Sequence, residues 1–230
     1  MKEVRLDIAN SDGTNSVTYR EPNIFSMSTH RKLWDGEPSV GNCVSGELDA
    51  LLWIDTSLIP RNAKLTPYVR TDGGAWVKKS EFFVFSRSEN NEMGSLRIVA
   101  NDAIYKSESP FVQSGNIGNW PRTDISVMQE IATRTGTTIC ADTVSLMNKG
   151  YQVQFPGITL QGTTTTYKSD GTTTMREVAG RIASMYAGNW IIDNNGEWRL
   201  VVLGDIPAET YYLVTEYGNA ITFGGVRILV

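Results

Sequence analysis

The sequence predicts an α+β protein: a strand-rich part over residues 1–100 that suits a small closed β-barrel or sandwich, an α/β domain over 101–205, and strands again over 206–230. Three observations predict it. Apolar residues alternate with polar ones through the first hundred residues, between turn-forming clusters. Helical spacing with a clear start signal appears after Asn101. Strand-like sequence returns from Ile206 and ends on the apolar run Val226 to Val230.

The N-terminal segment Lys2-Glu3-Val4-Arg5-Leu6-Asp7-Ile8 alternates charge with apolar residues, which suits a strand and not a signal peptide. Asp12-Gly13 can turn the chain. From Val44 the alternation is long, with Val44, Gly46, Leu48, Ala50, Leu52 and Ile54 on one face. Leu51 and Trp53 add apolar residues to the other face, so the far end of this strand is expected to be covered on both sides. Ile59-Pro60-Arg61-Asn62 breaks it, because proline cannot donate to a ladder. Lys64 to Arg70 is extended, Asp72-Gly73-Gly74 is a hairpin turn, and Trp76 to Arg87 follows. After the polar loop Asn90 to Gly94, Leu96, Ile98 and Ala100 alternate again. Short strands at this spacing predict a small closed barrel or sandwich.

Asp102 to Glu108 suits a short helix that stops before Pro110. Thr123-Asp124 can cap a helix with Met128, Ile131, Ala132 and Thr135 on one face and Gly136 at its end. Thr174-Met175-Arg176-Glu177 is a capping box, in which the Thr hydroxyl and the Glu carboxylate each satisfy a free backbone N–H. It opens a helix with Met175, Val178, Ala179, Ile182, Ala183 and Tyr186 inward, and Gly188 is expected to close it. Trp190 to Asp193, a turn at Asn194-Asn195-Gly196, and Trp198 to Leu203 form a hairpin. The Thr-rich segment Gly162 to Thr174 suits an exposed loop or edge.

The residues that carry much enzyme chemistry are scarce. The 230 residues include one histidine, His30, and two cysteines, Cys43 and Cys140. These cannot build a four-ligand Cys/His zinc site, and two cysteines so far apart are no disulfide framework. Both suit small buried apolar positions of a chain that matures in a reducing environment. A Ser/His/Asp or Cys/His triad would have to use His30, whose neighbours Arg31 and Lys32 make it a poorer base. His30 is therefore expected to be a surface or packing residue. Lysine and arginine total 21 against 25 acids, a net charge of −4, which argues against a nucleic-acid binder that works through a basic face. No apolar run approaches the roughly 18 residues of a membrane span.

Paired carboxylates are the one enzymatic arrangement the composition permits, since a glycosidase needs two across a sugar cleft. Asp49, Asp102, Glu108, Asp193 and Glu197 are available, and spacing selects no pair among them. Trp34, Trp53, Trp76, Trp120, Trp190 and Trp198 could stack sugars. Trp190 and Trp198, on two arms of one hairpin, are better read as covering the second helix. The sequence thus assigns no catalytic, cofactor or metal residue.

Several stretches together resemble one known family. They are Val44-Ser45-Gly46-Glu47-Leu48-Asp49, Ile59 to Tyr68, Gly94 to Ala103, Asn148-Lys149-Gly150-Tyr151, Thr174 to Val178, and Ile182 to Trp190. In order and spacing they resemble the N-terminal part of bacteriophage and prophage tail hub proteins, over roughly residues 40–205. The resemblance implies a virion structural protein and not an enzyme. Such hubs form a homotrimeric ring at the distal end of the tail tube. Each subunit carries two related barrels with an α/β domain inserted between them, which implies that residues 1–100 are the first β-barrel, 101–205 the α/β domain and 206–230 the beginning of a second, incomplete barrel. The implied partners are the tail tube or distal tail protein, the tape measure protein and downstream tail-tip proteins, with no cofactor, nucleic acid or membrane span. The implied location is the virion tail, after assembly in the bacterial host cytoplasm. The family calls for more chain than 230 residues, because the rest of the second barrel and any lytic or fibre-like region are absent.

The residues are consistent with a part that works by assembly and host attachment. Unclosed strands such as Val226 to Val230 must find a partner, and a ring buries apolar patches that one subunit exposes. Two other readings remain. One is a carbohydrate- or receptor-binding module, from the tryptophans and the Thr-rich loop. The other is a peptidoglycan hydrolase, from the carboxylates.

Overall fold

A computed structural model describes residues 2–11, 13–53, 59–60, 62–90, 94–112, 115–116, 120–153, 168–169, 171–203, 222–223 and 226–227. The expected α+β composition is present. The first part is one antiparallel sheet built from β1 (Lys2–Ala9), β2 (Val17–Arg20), β3 (Ile24–His30), β4 (Glu47–Leu52), β5 (Lys64–Thr71), β6 (Val77–Lys78), β7 (Phe82–Asn90) and β8 (Ser95–Asn101). Their order is β2-β1-β5-β7-β8-β4-β3, with β6 beside β5.

The alternation sets the inward face. Leu6 and Ile8 of β1, Leu48, Ala50 and Leu52 of β4, and Leu96, Ile98 and Ala100 of β8 are all buried, and Tyr19, Ile24, Leu65 and Phe82 join them in one core. Strands from both ends of the path feed that core, so the sheet curls round it. β1 and β3 come within 8 Å between Cα atoms. The closed barrel expected from the sequence is not seen. Among the described residues no ladder joins β3 to β1 or β2, and the sheet stays open at that seam. In the turn after β2, Asn23 donates to the Arg20 carbonyl at 2.8 Å and accepts from the Trp53 N–H at 2.9 Å, which extends the pairing of β3 with β4 by one more bond. Pro67 sits in β5 where its missing N–H costs nothing: β7 pairs at Lys64 and Leu65, β6 pairs at Tyr68 and Val69, and Pro67 lies in the gap.

The strand expected from Val44 is shorter. Regular pairing runs only from Glu47 to Leu52, because the Gly46 N–H is taken by the Asp102 carboxylate at 2.7 Å. Its far end is not covered on both sides, since Trp53 is 39% exposed. Ile54 and Asp55 lie outside the described residues.

The second part opens with a 3-10 helix, Ala103–Glu108. It continues through β9 (Gly115–Asn116), β10 (Arg122–Thr123), α1 (Asp124–Thr135), α2 (Ala141–Met147), β11 (Gln152–Val153), β12 (Lys168–Ser169), α3 (Met175–Met185), β13 (Gly188–Ile192) and β14 (Trp198–Val202). The capping box at Thr174 and Glu177 is formed, and the expected inward face of α3 is buried throughout. Gly136 ends α1 in the left-handed region at φ 77°, with its N–H on the Ala132 and Thr133 carbonyls. Gly188 does not close α3. Ala187 takes the left-handed turn at φ 50°, and Gly188 opens β13, where a Cβ would stand 2.7 Å from the Val201 carbonyl oxygen. The second core joins Met128 and Ile131 of α1, Val178 and Ile182 of α3, and Trp190 and Trp198 of the β13–β14 hairpin.

Cys43 and Phe83, from the first hundred residues, also belong to this second core. The segment between β3 and β4 straps the two parts together. Gly41 donates to the Gly188 carbonyl, Asn42 accepts from the Trp190 N–H, and the Asn189 side chain bonds both Asn42 and Ser39. Of the expected second barrel, β15 (Thr222–Phe223) pairs with β16 (Val226–Arg227), and the rest of 206–230 lies outside the described residues. Most of the Thr-rich segment does too, although Lys168–Ser169 pairs with Gly115–Asn116.

Candidate functional site

Each of the five candidate carboxylates is held by its own donors. Asp102 follows β8 and is 1% exposed. Its carboxylate accepts from the Gly46 N–H at 2.7 Å, the Ile104 N–H at 3.0 Å and the Ser45 hydroxyl at 3.0 Å. It thereby caps the 3-10 helix and ties it to the start of β4. Burial pushes its carboxyl up to about 6, against the pull of the Gly46 and Ile104 amides. Asp49 receives two bonds from Arg97 across β4 and β8, which hold it below the usual carboxylate range. Glu108 pairs with Arg176. Asp193 accepts from Asn195 and Glu197 amides inside the hairpin turn, and Glu197 accepts from the Thr138 hydroxyl.

Two clefts lie near these groups. One, of about 480 Å³, runs between the strap at Gly41–Val44 and α3, with Arg176 and Arg181 on its wall. Another, of about 570 Å³, lies beside the hairpin turn with Glu81 and Glu197 at its rim. Glycoside hydrolysis needs one carboxyl held protonated beside one held ionised. Burial raises Glu81, but the Lys78 and Lys64 ammoniums outweigh it and leave the group below its ordinary range. Asp102, which is pushed up, lines neither cleft.

His30 is exposed at the end of β3, opposite Glu47. Both cysteines are buried and free, and burial pushes the Cys43 thiol up. Among the described residues no three His, Cys, Asp or Glu side chains gather in a way that could hold a metal ion, and no helix is long and apolar enough to cross a membrane.

The tryptophans divide. Trp120, Trp190 and Trp198 are buried. Trp190 donates its indole N–H to the Ala179 carbonyl and so covers α3, as expected, whereas Trp198 donates to the Thr135 hydroxyl at the end of α1. Their rings meet edge to face at 5.9 Å. Trp34 and Trp76 are half-buried. Trp53 is exposed and meets Phe25 edge-on at 6.1 Å.

Phe25 and Phe85 are each 66% exposed, and each occupies a bulge in its strand. A bulge inserts one unpaired residue and re-aims its side chain, which is how two phenylalanines leave the core of an otherwise alternating sheet. The sequence reading missed both. The signal was there in β3, where Ile24 and Met27, three residues apart, both face the core. It also missed the buried Asp124, which receives the Tyr186 phenol and the Ile125 N–H.

No protein-family model matches the chain, and no curated protein matches it. Among solved structures it is similar to the prophage MuSo2 43 kDa tail protein from Shewanella oneidensis, at 14% identity and a TM-score of 0.52, over 87% of this chain and 53% of that one. It is also similar to prophage tail protein gp18 from Listeria monocytogenes EGD-e, at 14% identity and a TM-score of 0.43, over 95% of this chain and 55% of that one. A tail protein from Neisseria meningitidis MC58 is similar at 10% identity and a TM-score of 0.46, over 86% of this chain and 51% of that one. The chain spans about half the length of each. At such identity the likeness is one of fold, and over most of its length this chain shares the sheet-rich α+β fold of a prophage tail protein.

Proposed function

We propose that this chain is a structural component of a phage or prophage tail. It acts as a hub subunit that assembles, without catalysis, into a trimeric ring at the distal end of the tail tube. The observation that carries the reading is the likeness of fold to the MuSo2 tail protein across 87% of the chain. The ordered stretches of hub-like sequence over roughly residues 40–205 support it independently. Phe25, Trp53 and Phe85, exposed on the sheet, are the kind of apolar surface that a ring contact buries. In this reading residues 1–100, 101–205 and 206–230 are successive units of the hub, and its neighbours are the tail tube or distal tail protein, the tape measure protein and the downstream tail-tip proteins. Its place is the virion tail, after assembly in the host cytoplasm.

Immunogold labelling of virions with antibody to this chain tests the location. Label at the tail tip is expected, and label confined to the capsid or absent from particles overturns the reading. Sedimentation velocity tests the ring: trimers are expected, and a strict monomer at the highest attainable concentration removes the ring from this chain taken alone.

A second reading, a carbohydrate- or receptor-binding module serving host attachment, is favoured by the exposed Phe25–Trp53 pair. A glycan array with Trp53→Ala as control decides it. Binding that this substitution abolishes supports the module, and a blank array discards it. Peptidoglycan hydrolysis has less support, since the five candidate carboxylates are each bound to separate donors.

A further inference from the structure

On the outer face of the sheet, Arg5 of β1, Arg20 of β2 and Arg70 of β5 surround Trp76, just before β6. Their guanidinium carbons stand 5.2, 5.6 and 4.6 Å from the indole ring centre, and Arg5 also stacks on Tyr68 at 3.9 Å. Register places them there: Arg5 lies opposite Arg20 on one side and Tyr68 on the other, and Arg70 lies opposite Glu3. Leu6 and Ile8 point into the core, so Arg5 points out.

The stability of the fold does not account for this cluster. Like charges directly opposite on neighbouring strands repel. Asp7 pairs with Arg5 at 3.1 Å and Glu3 with Arg70 at 2.5 Å. The Arg20 side chain is exposed and, beyond its place over Trp76, its guanidinium makes no hydrogen bond or ion pair among the described residues. The Nε atoms of Arg5 and Arg70 are buried without a hydrogen-bond partner. A buried donor left without an acceptor costs more than a cation over an exposed indole returns. Surplus positive charge is thus gathered on an aromatic platform in a chain whose net charge is −4.

We propose that this face docks an acidic stretch of a neighbouring polypeptide, with a carboxylate taken by the free fork of Arg20 over Trp76. A guanidinium presents two parallel N–H donors that match a carboxylate, and here the indole and Arg5 limit the directions it can take. The same fork would accept a phosphate, but the surroundings favour protein. The cluster spans three neighbouring strands, about 10 Å, and does not form a track along which a polyphosphate backbone would release counterions. The proposal goes beyond the tail reading and does not depend on it.

Fluorescence anisotropy on the full chain tests it, with a short labelled oligoglutamate as probe and oligoglutamine and oligothymidylate of the same length as controls. Oligoglutamate is expected to bind, to weaken as salt rises, and to lose at least about tenfold in affinity with Arg20→Glu. Lys149→Glu carries the same charge change at another exposed position and is expected to bind as the parent does. Trp76→Leu is expected to weaken binding severalfold, and circular dichroism confirms that each variant is folded. The proposal is overturned if oligoglutamate fails to bind, if Arg20→Glu and Lys149→Glu lose affinity equally, or if oligothymidylate binds as tightly. Tail-tip labelling is unaffected by any of these results, so the two readings fail separately.

Discussion

The Tyr186 phenol donates a hydrogen bond to the carboxylate of Asp124, joining the C-terminal cap of α3 to the first residue of α1 across 62 positions of sequence. Asp124 is fully buried and Tyr186 is 9% exposed. The second Asp124 oxygen accepts from the Ile125 N–H, so a buried charge sits at the positive end of α1 with both oxygens bonded. Tyr186→Phe is expected to destabilise the chain by about 1–3 kcal/mol, because it leaves one of those oxygens without a donor. Urea unfolding measures this, and an unchanged midpoint would show that the bond carries no stability. Burial, then the Asp124 carboxylate, push the Tyr186 phenol up from 10.0. Its folded-state value is the higher one, so its contribution to stability is complete below about pH 10 and declines as pH rises further. One tyrosine is expected to ionise only when the chain unfolds, as read by phenolate absorbance.

Asp102 is the group through which acid should affect the fold in an unusual direction. Its carboxyl is raised from 3.8 to about 6, so the folded chain holds this proton more tightly than the unfolded chain. Its contribution is therefore fully present below about pH 4, declines between about pH 4 and 6, and is constant above. The span is at most about 3 kcal/mol. Asp102→Ala removes that dependence and also costs about 2 kcal/mol near neutrality, since three donors lose their acceptor. Unfolding free energies of both proteins at pH 4 and pH 7 test this. Equal pH slopes in the two would be the contrary result.

Gly180 lies inside α3, where alanine is ordinarily better by about 1 kcal/mol. Here a Cβ would stand 2.6 Å from the Gly41 carbonyl oxygen, a backbone atom that the strap's hydrogen bonds hold in place. Packing outweighs propensity. Gly180→Ala is expected to destabilise by about 2 kcal/mol or more, as overpacking does. A rise in the thermal midpoint would show that the strap can move aside.

Ile182 is fully buried in the second core, between α3 and the helices and hairpin around it. Ile182→Asp places an unpaired carboxylate there and is expected to prevent cooperative folding of that part of the chain. Near wild-type stability in denaturant would contradict its placement.

The pieces legible in the sequence were those that local pattern encodes. β1, β4 and β8 follow from alternation, because neighbouring residues on a strand face opposite ways whatever the strand pairs with. The capping box of α3 follows from Thr174 and Glu177 alone, three residues apart. α2 was missed, because its seven residues have no side-chain N-cap bond and too little length to show a period. Phe25 and Phe85 were missed because one inserted residue breaks the alternation by which a strand is read.

The sequence by itself determined that this is an α+β chain of short strands followed by capped helices, with few of the residues that catalysis and zinc binding use. Those properties are local or compositional, and they survive any arrangement in space. The tertiary structure alone decided that the curled sheet stays open between β3 and β1 or β2, that Gly41 and Gly180 touch, and that Asp102 is a buried cap that lines neither cleft. It alone brought three arginines to one tryptophan. Each of these depends on which strands and helices become neighbours, and that choice is made by burial and hydrogen bonding summed over distant parts of the chain.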